Sequence, residues 1–341
     1  MDSTIKVLRE SGKNVFITGG NSGIGLHAVI SFLKFENYVF IPIKSQRRKD
    51  QFLAKLTEYL EPVFFNNYLE IINEIDLSDL RNIKKISDFF ETKEVKLDIL
   101  ILNAGIQYTG SKYPKVSRQG VELTFAINHL SHFVLANNLI PYMAESTGSR
   151  IIITSSDVHD PKSPGGNVGK KAGLSDFSAF RETIMGTFNN FNADKAYKNS
   201  KLCNILFAKE LSRILQNNQY KVSVITWAPG LVIPEDGLGF FRYSSKFNKI
   251  GYKIFSTLVS KVLGISENVN EAGKLLYLIS MNQDLNDLNY IHLSNRLISY
   301  GKHKLLEANV SQEANDSSLS KKLWQLSQEV CDSFAINLVD I

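Results

Sequence analysis

Residues 13–43 constrain the fold more than any other stretch. An apolar run, Lys13-Asn14-Val15-Phe16-Ile17-Thr18, feeds the turn Gly19-Gly20-Asn21-Ser22-Gly23-Ile24-Gly25. A helical pattern follows from about Gly23 to Phe35, and Tyr38-Val39-Phe40-Ile41-Pro42-Ile43 reads as the next strand. A β-α-β unit of about 30 residues has the size of a parallel crossover. Glycine-rich turns occur on many surfaces, so the pattern alone says little. Its place between a strand and a helix makes it informative, because a pyrophosphate can then rest on the helix N-terminus. The backbone of Gly19, Asn21, Ser22, Gly23, Ile24 and Gly25 is the candidate cradle, with the glycines permitting close approach.

The same rhythm continues along the chain. Helical spacing over 48–60 precedes a strand over 68–75 that ends at Asp76-Leu77. A helix over 80–90 leads to the apolar strand 97–102, which ends at Asn103-Ala104-Gly105. A long helix over 119–143, a buried strand over 150–154, a helix over 194–215 and a sixth strand over 220–227 complete the pattern. Strands alternating with helices predict a doubly wound parallel α/β sheet, a Rossmann fold. Nothing marks a linker in the 341 residues, so one domain is expected: a core over 12–280 and a C-terminal extension over 281–341. Two insertions interrupt it. Residues 157–193 are polar and rich in Gly and Asn, and residues 234–264 are basic and aromatic. Long insertions of this kind read as functional loops, here lids. The second also has the composition of a helix packed on the sheet or lying on a membrane surface.

Composition narrows the function classes. A net charge of +5, spread over short clusters, is too diffuse to argue for nucleic acid. Cys203 and Cys331 make no disulfide framework, and no Cys/His spacing suits zinc. His129 and His132 share a helix face, but without a third ligand in place they read as packing or hydrogen-bonding residues, and no metal is expected. The first residues lack an apolar leader, and no window approaches the roughly 20 apolar residues of a membrane span. A cytoplasmic protein is expected, with peripheral membrane contact left open. Oligomeric state is not legible.

The chemistry concentrates in three places. After the second strand the chain runs Lys44-Ser45-Gln46-Arg47-Arg48, with no carboxylate for a ribose 2′-hydroxyl. A basic residue such as Lys44 suits a 2′-phosphate, so NADP(H) is the expected cofactor. Tyr197 and Lys201 stand at i and i+4 on one helix face. A phenol titrates near pH ~10, and an adjacent ammonium makes it a more usable acid. Alone, this spacing equally describes an ordinary amphipathic helix. Ser155-Ser156 closes the fifth strand, and Cys203 is either a packing residue or a thiol near the substrate.

Taken in order, these motifs resemble the short-chain dehydrogenase/reductase superfamily over roughly residues 12–280. Thr18-Gly19-x-x-x-Gly23-x-Gly25, Asp76-Leu77, Asn103-Ala104-Gly105, Asn128, Ser156, Tyr197-x-x-x-Lys201 and Pro229-Gly230 carry the resemblance. It implies a nicotinamide-dependent oxidoreductase with an Asn128-Ser156-Tyr197-Lys201 tetrad. Tyr197 would be the proton donor or acceptor, and Lys201 would hold the nicotinamide ribose and lower the phenol pKa. Ser156, rather than Ser155, would orient the substrate, and Asn128 would support a water relay. Asp76 and Asn103 would hold the adenosine part, with Pro229-Gly230 also at the cofactor.

Within that superfamily the chain is similar to the light-dependent protochlorophyllide reductase family. The resemblance rests on Tyr197-Lys198-Asn199-Ser200-Lys201-Leu202-Cys203-Asn204 after a long insertion, and on Asn128-His129-Leu130-Ser131-His132-Phe133. Phe240-Phe241-Arg242 and the segment from Val310 to Trp324 add to it. It implies NADPH-dependent reduction of a tetrapyrrole double bond at a photosynthetic membrane. Three positions depart from that family's pattern: Leu231 replaces a cysteine, Gly105 an alanine and Ser156 a threonine. Two alternatives follow: dark reduction of a retinal-like or other carbonyl substrate, or a pigment- and NADPH-binding protein without turnover.

Overall fold

The computed structural model describes residues 12–108, 110–143, 148–186, 191–233, 252–254, 257, 259, 265–286, 288–339 and 341. Most of the expected 234–264 lid lies outside these residues.

The described residues form one eight-stranded sheet of order β3-β2-β1-β4-β5-β6-β7-β8. The strands are β1 (Asn14–Ile17), β2 (Tyr38–Ile43), β3 (Leu69–Asn73), β4 (Ile99–Leu102), β5 (Arg150–Thr154), β6 (Ser223–Ala228), β7 (Tyr290–Ser299) and β8 (Lys302–Glu307). All neighbouring pairs are parallel except β7–β8, an antiparallel hairpin. The order reverses between β1 and β4, and in open α/β sheets ligands bind at the carboxyl ends of strands beside such a reversal.

Strands β1, β2 and β4 to β6 are largely apolar and buried on both faces, as a sheet covered by helices on both sides requires, whereas β3 and β8 at the two edges carry exposed polar residues. Alternation assigns each residue to a side. Phe16, Phe40, Leu100, Ile151 and Val224 point into one core, whereas Val15, Ile17, Ile101, Ile152, Ile225 and Trp227 point into the other. Helices α1 (Gly23–Lys34), α2 (Gln46–Leu56) and a later helix over Val269–Met281 bury side chains in the second core. The first core takes α4 (Lys84–Lys93), the broken helix α5/α6, α8 (Ala193–Asn217) and the C-terminal helix Ser317–Ser333. In chain order α3 is Pro62–Tyr68 and α7 is Phe177–Ile184; Val269–Met281 is α9 and Ser317–Ser333 is α10.

The sequence reading needs three corrections. The helix expected over 48–60 ends at Leu56, and Pro62 at the first position of α3 starts a second one. The helix expected over 119–143 is α5 (Leu123–Phe125), a π turn (Ala126–Leu130) and α6 (Ser131–Leu139). The sheet also continues beyond residue 280: β7 pairs with β6, and α10 packs Leu323 and Trp324 into the first core. The C-terminal stretch is therefore structural to the sheet.

Candidate active site

The β1–α1 turn has the geometry of a cradle. Ser22 stands at the helix N-cap with no side-chain hydrogen bond to the first turn, which leaves those backbone N–H groups without a side-chain cap. A Cβ on Gly25 would lie 2.3 Å from the Gly19 carbonyl oxygen, so only glycine fits where helix and turn cross. Gly19 has φ +70, and a Cβ there would come within 3.0 Å of Ala104 Cα. Thr18 ties this turn to the end of β4: its Oγ1 accepts from the N–H groups of Asn103 and Ala104 at 2.9 Å each. Asn103 in turn donates to the Thr18 carbonyl at 3.1 Å.

This turn opens on a cavity of about 1800 Å³ at the carboxyl ends of the strands. Every candidate site residue lines it except Asn128. At one end Lys44 forms an ion pair with Asp76 at 2.5 Å. Burial pushes the Asp76 carboxyl up, and hydrogen bonds from Lys44 and Ser78 more than offset this, holding it below its ordinary value. Lys44 is still half open to solvent, and Arg48 lines the same end of the cavity.

At the other end α8 brings Tyr197 and Lys201 against the end of β5. Asn192 caps this helix by accepting from Lys195 N–H at 2.8 Å. Lys201 Nζ donates to the Thr154 carbonyl at 3.0 Å and lies 5.7 Å from the Tyr197 ring centroid. Ser156 is within hydrogen-bond reach of the Tyr197 hydroxyl. Ser155 instead donates to the Lys201 carbonyl at 2.9 Å and is fully buried, a structural part distinct from that of Ser156.

The electrostatics differ from the sequence expectation. Burial drives the Tyr197 phenol above its ordinary value; Ser156 opposes this, and Asp194 adds to it. The net direction is thus opposite to the lowering expected from the Lys201 charge. Burial also pushes the Lys201 ammonium down to about 8.

Asn128 lies behind the cavity wall, in the π turn, an irregularity common at functional sites. Its Oδ1 accepts from Ile106 N–H at 2.8 Å, and its Nδ2 donates to the Ile106 carbonyl and to Ser200 Oγ at 3.0 Å each. The Gly105 Cα thus sits between Asn128 and Lys201, where an added Cβ would lie 3.6 Å from both polar atoms. His132 contacts Thr18 Oγ1 at 3.0 Å and His129 contacts Ser327 Oγ at 2.9 Å. Both rings are fully buried, and burial pushes both down to about 3, so they are neutral. Cys203 is buried in the first core, away from the cavity lining.

The 157–193 insertion was expected as a lid, but its individual lining residues, Lys198 as their anchor and the β7–β8 hairpin were not expected at the site. The described part of the 157–193 insertion walls the cavity from Asp157 to Val168. Lys198, nearly buried, organises this wall. Its ammonium pairs with Asp194 at 3.1 Å and donates to the carbonyls of Val168 and Lys170. Asp157 accepts from Ser294 Oγ at 2.9 Å, which ties the insertion to β7. Asn295, Arg296, Leu297 and His303 of the β7–β8 hairpin complete the far wall. At Gly230 (φ +80) a Cβ would lie 2.8 Å from the Asn295 carbonyl, so this hairpin packs closely on Pro229-Gly230. Leu231 faces the cavity. Among the described residues, no helix is long and apolar enough to cross a membrane.

The family model described as short chain dehydrogenase matches residues 13–178. Over 338 residues the chain is 28% identical to the chloroplastic protochlorophyllide reductase of Pisum sativum, covering 95% of this chain and 79% of that protein. It is 29% identical over 328 residues to Retinol dehydrogenase 14 of Homo sapiens, covering 93% and 85%. Among solved structures, an uncharacterized protein from Mycobacterium Paratuberculosis superposes with TM-score 0.66 at 21% identity, covering 94% of each chain. L-Sorbose reductase from Gluconobacter frateurii, complexed with NADPH and L-sorbose, superposes with TM-score 0.60 at 16% identity, covering 86% of this chain and 97% of that one.

Proposed function

We propose that the chain, similar to short chain dehydrogenases over residues 13–178, is an NADPH-dependent reductase of a hydrophobic substrate, with Tyr197 as the proton donor. The observation that carries this reading is the convergence of Tyr197, Ser156 and Lys201 on the cavity that the glycine turn also lines.

The residues fit a dinucleotide. The uncapped α1 N-terminus suits its pyrophosphate. Lys44 and Arg48, with no carboxylate at the end of β2, suit a 2′-phosphate; Lys44 keeps donors to spare beyond Asp76. When bound, NADPH supplies the hydride. The protein supplies the rest. Tyr197 gives its phenolic proton to the substrate atom that gains charge. Ser156 donates a hydrogen bond to the same region, and donors placed where charge develops lower the barrier. Lys201, held by Thr154, would hold the nicotinamide ribose, and it keeps a positive charge 5.7 Å from the Tyr197 ring. Asn128 fixes the backbone at Ile106 and Ser200 and thereby the floor beneath Lys201. Residues 157–193 act as the lid.

For the substrate, the whole-length likeness to the Pisum sativum protochlorophyllide reductase supports reduction of a tetrapyrrole ring double bond. A second reading, dark reduction of a retinal-like carbonyl, has its own support. Two hydroxyls, Ser156 and Tyr197, converge as a carbonyl oxygen requires, Leu231 puts an inert side chain on the cavity wall, and Retinol dehydrogenase 14 is as similar overall. Illumination with protochlorophyllide and NADPH separates the two. A red shift of the pigment band in light only supports the first. Dark NADPH oxidation by retinaldehyde with no light reaction supports the second, and binding of both ligands without any turnover rejects the enzyme.

A further inference from the structure

The cavity carries charge that the chemistry above leaves unused. Four carboxylates line it, and each is engaged. Asp76 pairs with Lys44 and Asp194 with Lys198, Asp157 accepts from Ser294, and Asp160 accepts from the Lys162 backbone N–H at 2.9 Å. Besides Lys201, which the chemistry above uses, the lining cations Arg296 and Lys162 have no carboxylate within ion-pair distance among the described residues.

Arg296 lines the same cavity as the reacting groups, on the stretch of β7 that is tied to Asp157. The preceding residue, Asn295, donates to the Pro229 carbonyl at 3.3 Å and to Glu267 at 3.0 Å, which fixes this part of β7. Ser294 holds Asp157, the neighbour of Ser156. His159, whose Nδ1 lies 2.7 Å from the Ser156 carbonyl, is held below its ordinary value chiefly by burial. The Ser156 carbonyl, Asp157 and Asp160 oppose this, and the Arg296 charge adds a smaller push in the same direction as burial. The same cavity lining includes the apolar side chains Val158, Pro164, Leu231, Ile265 and Leu297. A guanidinium stays charged at any working pH, and its planar fork matches a carboxylate with two parallel hydrogen bonds.

We propose that Arg296 is a specificity residue that anchors a carboxylate on an otherwise apolar substrate, with Lys162 adding a second positive charge. The inference rests on the reading of this cavity as the substrate site, and it selects within that reading: the substrate is an amphiphile, held at its anionic end by the β7–β8 hairpin. Arg296 is exposed, so the anion meets it partly hydrated and the gain is moderate.

Paired probes test this on the NADPH-saturated full chain. Equilibrium binding is measured for protochlorophyllide against its methyl ester, and for retinoic acid against retinaldehyde. The expected result is at least about tenfold tighter binding of the acid in one pair. That preference should vanish in Arg296→Gln and return in part in Arg296→Lys, with NADPH affinity unchanged in both. Equal binding of acid and neutral partner, a preference that survives Arg296→Gln, or no acid binding in either pair overturns the inference. Arg296-dependent binding of retinoic acid with no pigment binding supports it while removing the tetrapyrrole reading, so the two failures are distinguishable.

Discussion

Lys201 Nζ donates to the backbone carbonyl of Thr154 at 3.0 Å, deep in a fully packed wall. That single bond orients the ammonium toward the cavity, and Asn204 Nδ2 shares the same carbonyl at 3.0 Å. The lysine is therefore placed by the end of β5 and not by its helical neighbour Tyr197. Its burial has a measurable consequence.

Folded, Lys201 titrates at about 8, whereas its ordinary value is 10.5. Between those two values the unfolded chain holds a proton that the folded chain has released, so this group makes stability rise with pH across that window. Below about 8 the buried charge costs its full amount. Urea unfolding from neutral pH to about pH 10.5 should show wild type gaining on Lys201→Met, by up to about 3 kcal/mol. Parallel curves would contradict the burial. In the same range kcat/KM should fall as Lys201 loses its charge, since that ratio reports groups of the unliganded enzyme.

Removal of the proton donor should leave binding intact. Tyr197→Phe is expected to lower kcat by about 10²- to 10⁴-fold, the range for a positioned general acid. Ser156→Ala should lower it by about 10²- to 10³-fold, as loss of one charge-stabilising donor does. NADPH titration by fluorescence should give unchanged affinity in both variants. A loss of affinity matching the loss of rate would contradict these roles.

Cofactor choice depends on the end of β2. Lys44→Ala removes one cation and leaves Asp76 without its ion-pair partner. NADPH affinity should fall about tenfold or more, with NADH affinity unchanged or improved. A wild-type preference for NADH would contradict the assignment of the phosphate subsite.

Two glycines in one turn should respond differently. Gly25→Ala forces a Cβ to 2.3 Å from the Gly19 carbonyl, so the turn must rearrange and dinucleotide binding should be lost. Gly23 has open space around it but φ +55, where an alanine costs about 1 kcal/mol and nothing collides. Gly23→Ala should therefore fold, with a modest fall in melting temperature, and weaken NADPH binding rather than abolish it, since Gly23 lines the cavity. Equal effects of the two substitutions would contradict the packing described for the turn.

The alternation of apolar strands with helices made β1 to β6 legible, because all of them except the edge strand β3 are buried on both faces and read as nearly unbroken runs. The glycine turn and the Tyr197–Lys201 spacing were legible for the same local reason. β7 was not. It buries His292, Ser294 and Asn295, which look like loop residues until Thr226 is found bonded to His292 and Asp157 to Ser294. The π turn at Asn128 has no local signature, since it depends on the distant Ile106 and Ser200. The Lys44–Asp76 pair and the Lys198 clamp on the lid join residues far apart in the chain or far apart in role. The direction of the Tyr197 shift was misjudged because spacing reveals a neighbouring charge but not the burial that outweighs it.

Reduction by NADPH with Tyr197 as the acid makes turnover depend on one hydroxyl. The most direct measurement is NADPH oxidation by the full chain, with protochlorophyllide under illumination and with retinaldehyde in the dark, in wild type and Tyr197→Phe. Turnover of one of these substrates by wild type, lost in Tyr197→Phe while NADPH still binds, is the predicted result. Undiminished turnover in Tyr197→Phe, or tight binding of cofactor and substrate with no turnover in either condition, would contradict it.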